Sequence, residues 1–182
     1  MYIRYFLLVL VDLTVSFLNF FLAPVVVLFA QNDGWLPRWL WWFQTPDNPL
    51  DGDGGWKTEH RRFKIEDKPW KRWYNRTTWL YRNSMYGFCI DVLGAKTLGT
   101  DTLVLTGDRA ASDNPFHEGH FHYRLYRDEK LIAFQYHLIW AWSKTRCLRL
   151  NIGWKLWDFR VGEDRNCQLT FSPNPFIEVR ND

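Results

Sequence analysis

Three of the chain's five histidines crowd into Phe116-His117-Glu118-Gly119-His120-Phe121-His122, the densest set of metal-competent side chains in its 182 residues. Neutral imidazole is a common Zn²⁺ ligand, and three imidazoles leave a fourth position open for a reacting water. If Leu125 pairs with Ile132, and Trp140 with Leu148, then His120 lies opposite His137, and His137 opposite Asn151. His120, His122 and His137 would then share one sheet face, at the roughly 5 Å spacing of adjacent strands. Histidines on the polar face of a half-solvated sheet need no metal to explain them, and a metal-dependent enzyme is the minor alternative. The remaining chemistry is thin. No Ser or Cys sits in a nucleophile motif, and Gly52, Gly54 and Gly55 lack the helix and Lys of a phosphate loop. An EF-hand template laid from Asp47 puts Pro49 at a ligand position and Thr58 in place of the bidentate Glu. Cys89, Cys147 and Cys167 show no metal or CxxC spacing and read as free thiols. No cofactor is implied, and the function expected is non-enzymatic.

A second cluster is basic and aromatic. From Lys57 to Arg82 there are nine Lys or Arg against three acids, interleaved with Trp70, Trp73, Tyr74 and Trp79. Arg61, Arg62, Lys64, Lys68, Lys71, Arg72 and Arg76 are the candidates for binding an anionic surface. Lipid headgroups attract such runs by about 1 kcal/mol per basic residue. A nucleic acid would use the same cations for phosphate and the rings for stacking. The neighbouring hydrophobic segment favours lipid; a membrane-tethered nucleic-acid-binding module is the alternative, and a solvated face over core aromatics is the plain one.

That segment must position everything else. Of the 26 residues from Tyr5 to Ala30, 21 are apolar or aromatic. As a helix they reach about 39 Å, more than the roughly 30 Å hydrocarbon core, which suits one tilted span. The apolar stretch exceeds a signal-peptide core, and Leu28 before Ala30 makes a poor cleavage site, so an uncleaved anchor is expected. Its polar residues Asp12, Ser16 and Asn19 fall on one stripe, continued by Ala23. Asp12 could pair with Arg4; the sharper expectation is a helix–helix contact in a homo-oligomer, where small and polar residues meet inside a bilayer. Pro24 removes a backbone donor.

Beyond Gln31-Asn32-Asp33-Gly34 comes a tryptophan collar. Aromatics are 19% of the chain, and eight of its twelve tryptophans lie between Trp35 and Trp79. Trp35, Trp39, Trp41, Trp42 and Phe43 suit a short helix at the membrane–water interface. The basic residues after the segment place the following domain in the cytoplasm, N-out and C-in. Pro46 to Gly55 is turn chemistry and reads as an acidic linker.

The rest alternates with period two. Ile132, Phe134, Tyr136, Leu138, Trp140 and Trp142 form one apolar set, and Leu148, Leu150, Ile152, Trp154 and Leu156 another. Each set predicts a strand with that face buried, joined by a turn at Ser143-Lys144-Thr145. Phe121 to Leu125 precedes them across a turn at Asp128-Glu129; Tyr86 to Val92, Leu103 to Thr106 and Gln168 to Phe171 are weaker strands. The expected architecture is α+β: a transmembrane segment over 1–30, a collar and linker over 31–55, and a mainly antiparallel β-sheet domain over 56–182 whose basic N-terminal part is helix or loop.

The passage Gly34-Trp35-Leu36-Pro37-Arg38-Trp39-Leu40-Trp41-Trp42-Phe43-Gln44-Thr45-Pro46-Asp47-Asn48-Pro49-Leu50-Asp51-Gly52 and the tail Phe171-Ser172-Pro173-Asn174-Pro175-Phe176 resemble a family of uncharacterised small membrane-associated proteins of tailed bacteriophages and prophages. The resemblance implies a product acting at the host inner membrane. It would either be carried in the virion with other phage proteins and delivered with the DNA, or be made early to alter the envelope. No catalytic residue is carried over by it.

Overall fold

The computed structural model describes residues 1–179 and divides into two compact units. One comprises Met1–Val9 with the chain from Leu93 onward; the other is Leu10–Val92. The fold is α+β, an apolar N-terminal helix followed by a mainly antiparallel sheet.

Helix α1 (Tyr2–Val26) continues into a 3-10 turn at Val27–Phe29, and together they are long and apolar enough to cross a bilayer. In the helical unit the collar is a 3-10 helix, Arg38–Phe43. A π-helical turn follows at Trp56–His60, then α2 (Pro69–Arg82), with Pro69 in the first turn where a missing N–H costs nothing. Ala23, Val26, Val27, Leu36, Leu40, Leu50, Trp56, Trp79 and Leu80 close one apolar core. Tyr86 to Val92, expected as a strand, is instead helix α3 (Tyr86–Asp91). The reason is contact: Gly87 N–H donates to Gln44 O at 3.0 Å, and a Cβ there would lie 2.8 Å from Trp41 O. Docking against the collar carbonyls overrides the strand preference of Tyr, Phe and Ile.

The other unit is built on five antiparallel strands in the order β2-β5-β6-β7-β9. They are β2 (Thr102–Gly107), β5 (Gly119–Arg127), β6 (Lys130–Ala141), β7 (Arg146–Trp154) and β9 (Leu169–Glu178). Two small ladders flank them, β1 (Ala95–Thr97) with β8 (Arg165–Cys167), and β3 (Ser112–Asp113) with β4 (Phe116–His117). The β6–β7 register is the expected one, with Tyr136 opposite Ile152, His137 opposite Asn151 and Trp140 opposite Leu148.

The β5–β6 register departs from expectation. The turn is tight, Asp128 and Glu129 both having positive φ (47° and 62°), and Arg127 meets Lys130. A bulge between Leu125 and Tyr126 then skips Ile132, so Leu125 faces Ala133 and His120 faces Leu138. One residue of slip moves a side chain to the other face.

Burial is also reversed. The buried face of β6 carries Ala133, Gln135, His137 and Ile139, while the apolar set is half-buried or exposed beyond Phe134. Gln135 Nε2 donates to Asn151 Oδ1 at 3.0 Å, and Gln135 Oε1 accepts from Trp157 N–H at 3.1 Å. The aromatic face is closed at one end, where Tyr2 and Tyr5 meet Phe134 (ring centroids 4.8 and 5.1 Å) and Tyr5 meets Trp154 at 5.5 Å. Tyr5 Oη also donates to Thr170 O at 2.8 Å. Farther along, Trp140 is 52% and Trp142 48% exposed.

Candidate membrane-facing surface

Helix α1 has two unlike sides. Tyr5, Val9, Asn19, Ala23 and Val26 are buried, and Asp12 and Ser16 between them are half-buried. These seven positions advance by alternating steps of four and three, one stripe on an α-helix. The remaining circumference is mainly hydrocarbon and rings, with Ile3 79% and Phe17 65% exposed, interrupted by the exposed Arg4 and Thr14.

The covered stripe is held by specific partners in each unit. At its start, Tyr2 and Tyr5 dock on the sheet as described. In the helical unit, Asn19 Nδ2 donates to Leu80 O and Ser84 Oγ, both at 3.0 Å, and Cys89 Sγ donates to Asp12 Oδ1 at 3.1 Å. Pro24 cannot donate to Phe20 O four residues back. Tyr81 Oη supplies the missing hydrogen bond at 3.0 Å, and Trp73 Nε1 donates to Pro24 O at 2.8 Å. The polar stripe therefore makes a helix–helix contact within the chain.

In the collar, Leu36 and Leu40 turn inward and Phe43 packs on the same core. Trp39, Trp41 and Trp42 stay exposed, Trp39 at 66%, and Trp35 is half-buried.

Most of the basic run is occupied by its own fold. Glu66 forms ion pairs with both Arg61 (3.3 Å) and Arg72 (3.4 Å), and Lys71 pairs with Asp67. Arg76 grips Asp51 with two hydrogen bonds, 2.7 and 3.1 Å. Burial would raise the Asp51 carboxyl, but the Arg76 guanidinium outweighs it and holds the group below the usual range. Lys64 Nζ is bound to the carbonyls of Lys57 and Thr58, and Arg62 lies 5.6 Å from the ring centres of Phe63 and Tyr74. Of the seven candidates, Lys64 and Lys68 have neither a carboxylate nor a ring partner among the described residues.

The histidines do not converge. His120 and His122 lie on the aromatic face beside Tyr136, whereas His137 lies on the opposite face, stacked 4.8 Å from Phe121. The bulge at Leu125/Tyr126 separates them, and among the described residues no three His, Cys, Asp or Glu side chains gather as a metal site. Burial lowers the pKa of both His122 and His137, with Arg124 adding for the first, so both rings are neutral near pH 7. His137 instead lines a cleft of about 340 Å³ with Arg109, Ser112, Asp113, Phe121 and Trp157. Its Nδ1 is buried there without a hydrogen-bond partner among the described residues, and Asp113 is committed to Arg149 at 2.8 Å. Nothing in the alternation of β5 could reveal this cleft, because its walls come from segments far apart in sequence, from Arg109 to Trp157. The three cysteines are buried thiols joined by no disulfide, and burial pushes the Cys167 thiol up to about 11.

Comparison with curated proteins and with solved structures finds no match. The model of one protein family, described as "Family of unknown function (DUF7338)", matches residues 1–181, and the chain belongs to that family.

Proposed function

We propose that this is a non-enzymatic membrane protein held in the bilayer surface by the bare side of α1, lying along the membrane rather than across it. The observation that carries the reading is the one-sided burial of α1, with Tyr2 and Tyr5 docked on the sheet. A helix crossing with its N-terminus outside would put those tyrosines on the far side of the bilayer from the sheet they touch. A long helix with one apolar side and one protein-covered side suits the headgroup–acyl boundary, where such faces sink about 5–10 Å. The exposed Trp39, Trp41 and Trp42 belong at the same depth, since indole favours that zone. This replaces the single-pass, N-out reading.

The setting we propose comes from the resemblance to small phage and prophage proteins: the cytoplasmic surface of the host inner membrane, reached either from the virion or by early synthesis. Homo-oligomer formation is not part of the proposal, because the stripe that suggested it has partners in its own chain. Nor is nucleic acid, since the basic run is largely paired internally.

Inner-membrane vesicles from an expressing bacterium test the reading. Arg4→Cys and Asp33→Cys, at the two ends of the apolar segment, should react with an impermeant maleimide from the same side. Labelling from opposite faces would establish a crossing helix, and release of the full chain by carbonate would remove the anchor altogether.

A further inference from the structure

We infer that the aromatic face of the five-stranded sheet is a second lipid contact, seating indole rings among anionic phospholipid headgroups. It rests on the proposed membrane-surface reading and extends it to a different element.

A sheet face turned to water ordinarily carries the polar half of the alternation. Here it carries Tyr136, Leu138 and Trp140 from β6, Leu148 and Leu150 from β7, and Phe171 from β9, in register across the sheet. Trp140, Trp142 and Phe171 are exposed, and the others are only half-buried. The glutamine and asparagine that water would accommodate are on the covered face.

Continuity identifies the occupant. The same face, at its Phe134 end, carries the first turns of α1, from which Ile3, Phe6 and Leu7 project exposed. Lipid that receives those side chains also meets the sheet beside them. A helix is about 10 Å across, so the outer side of α1 enters deeper and Trp140 and Trp142 stop nearer the headgroups. Trp and Tyr prefer that depth, where the ring body is in apolar surroundings and the polar edge is wet.

Charge points the same way. Arg124, opposite Phe134 on this face, donates to His122 Nδ1 at 3.3 Å and meets no carboxylate among the described residues. Glu178, toward the far end, is paired with Arg146. Lipid phosphate answers Arg124. A second copy applied to the same face would bring another Arg124 up against the first copy's positive face.

The test uses the full chain, spin-labelled singly at Phe6→Cys, Trp140→Cys, Trp142→Cys and, as a water control, Val161→Cys. Vesicles of phosphatidylcholine with phosphatidylglycerol are then added. We expect severalfold loss of collisions with a water-soluble nickel chelate at 140 and 142, retained collisions with oxygen, a larger chelate loss at 6, and no change at 161. Loss at 6 with none at 140 and 142 overturns the sheet contact while sparing the helix. No loss at any site overturns both. Loss of both chelate and oxygen at 140 and 142, with dipolar broadening, places a second copy on the face and overturns the lipid assignment. Arg124→Gln should reduce the phosphatidylglycerol dependence of binding severalfold; an unchanged dependence would take Arg124 out of the contact.

Discussion

The two faces of the sheet invert the usual relation between polarity and burial. The covered face holds Gln135, His137 and Asn151, and the uncovered face holds Tyr136, Leu138 and Trp140. Helix α1 repeats the division: Asn19 and Asp12 are on its covered stripe, Phe17 and Ile3 on its bare side. The polar groups inside are tolerable because nearly all have a named partner, and a satisfied buried amide costs little. On the proposed reading, the apolar groups outside meet lipid in place of water. Side-chain polarity alone thus misjudges which side is covered when a second solvent is present.

Neighbouring residues give the sharpest break between the faces. Ile139 is fully buried and Trp140 half exposed. Ile139→Ala should lower unfolding free energy in detergent by about 2–5 kcal/mol, the usual cost of emptying a core site. Trp140→Ala should change it by less than about 1 kcal/mol, as exposed positions do. Equal urea midpoints for the two variants would abolish the distinction. On the covered face, Asn151→Leu leaves Gln135 Nε2 without its acceptor and should cost about 1–3 kcal/mol. Adding Gln135→Leu should recover part of that loss, and a strictly additive double variant would mean the amide pair is not coupled.

A smaller effect tests the same principle in the helical unit. Tyr81→Phe strips the hydrogen bond from Phe20 O and should cost about 1 kcal/mol. In a Pro24→Ala background the helix has its own N–H for that carbonyl, so the tyrosine change should then be nearly silent. The smallest expected effect is a pH slope. Arg127's hydrogen bonds to Asp101, aided by the Leu98 N–H, hold that carboxyl below its usual range against the opposing effect of burial. A lowered folded value means its stabilisation is complete above the unfolded value of about 3.9 and is lost as pH falls through the folded one. Stability measured from pH 5 down to 2 should fall less steeply in Asp101→Asn than in the parent; parallel curves would show that the pair does not report on acid.

Several elements were legible from residue order alone. The Ser143-Lys144-Thr145 turn and two clean alternations settle the β6–β7 register, because a wrong register would have mixed both faces. The Asp12-Ser16-Asn19-Ala23 stripe was visible as a contact face, but its partners, Leu80, Ser84 and Cys89, lie more than sixty positions away and leave no local trace. The bulge beside Tyr126 was hidden because Ile132 continues the apolar alternation that it interrupts in space. Which face is covered was misread for a physical reason: period two reports that the faces differ, and assigning the apolar one to the interior assumes water on the other. The charge of Arg61 to Arg76 was plain, whereas its internal neutralisation by Glu66, Asp67 and Asp51 depends on loop geometry.

The partners of Asn19, Phe20 and Pro24 all come from α2 or the residues just after it, and this sets an order of events during synthesis. The apolar helix leaves the ribosome first. At about 5–20 residues per second, roughly sixty further residues take some 3–12 s to appear. Through that interval both sides of α1 are naked, and its polar stripe has nothing of its own chain to hold it. Either a targeting factor or the membrane must shelter it. On the proposed membrane reading, insertion precedes completion of the fold, and α2 and α3 close over a helix that has already chosen its solvent.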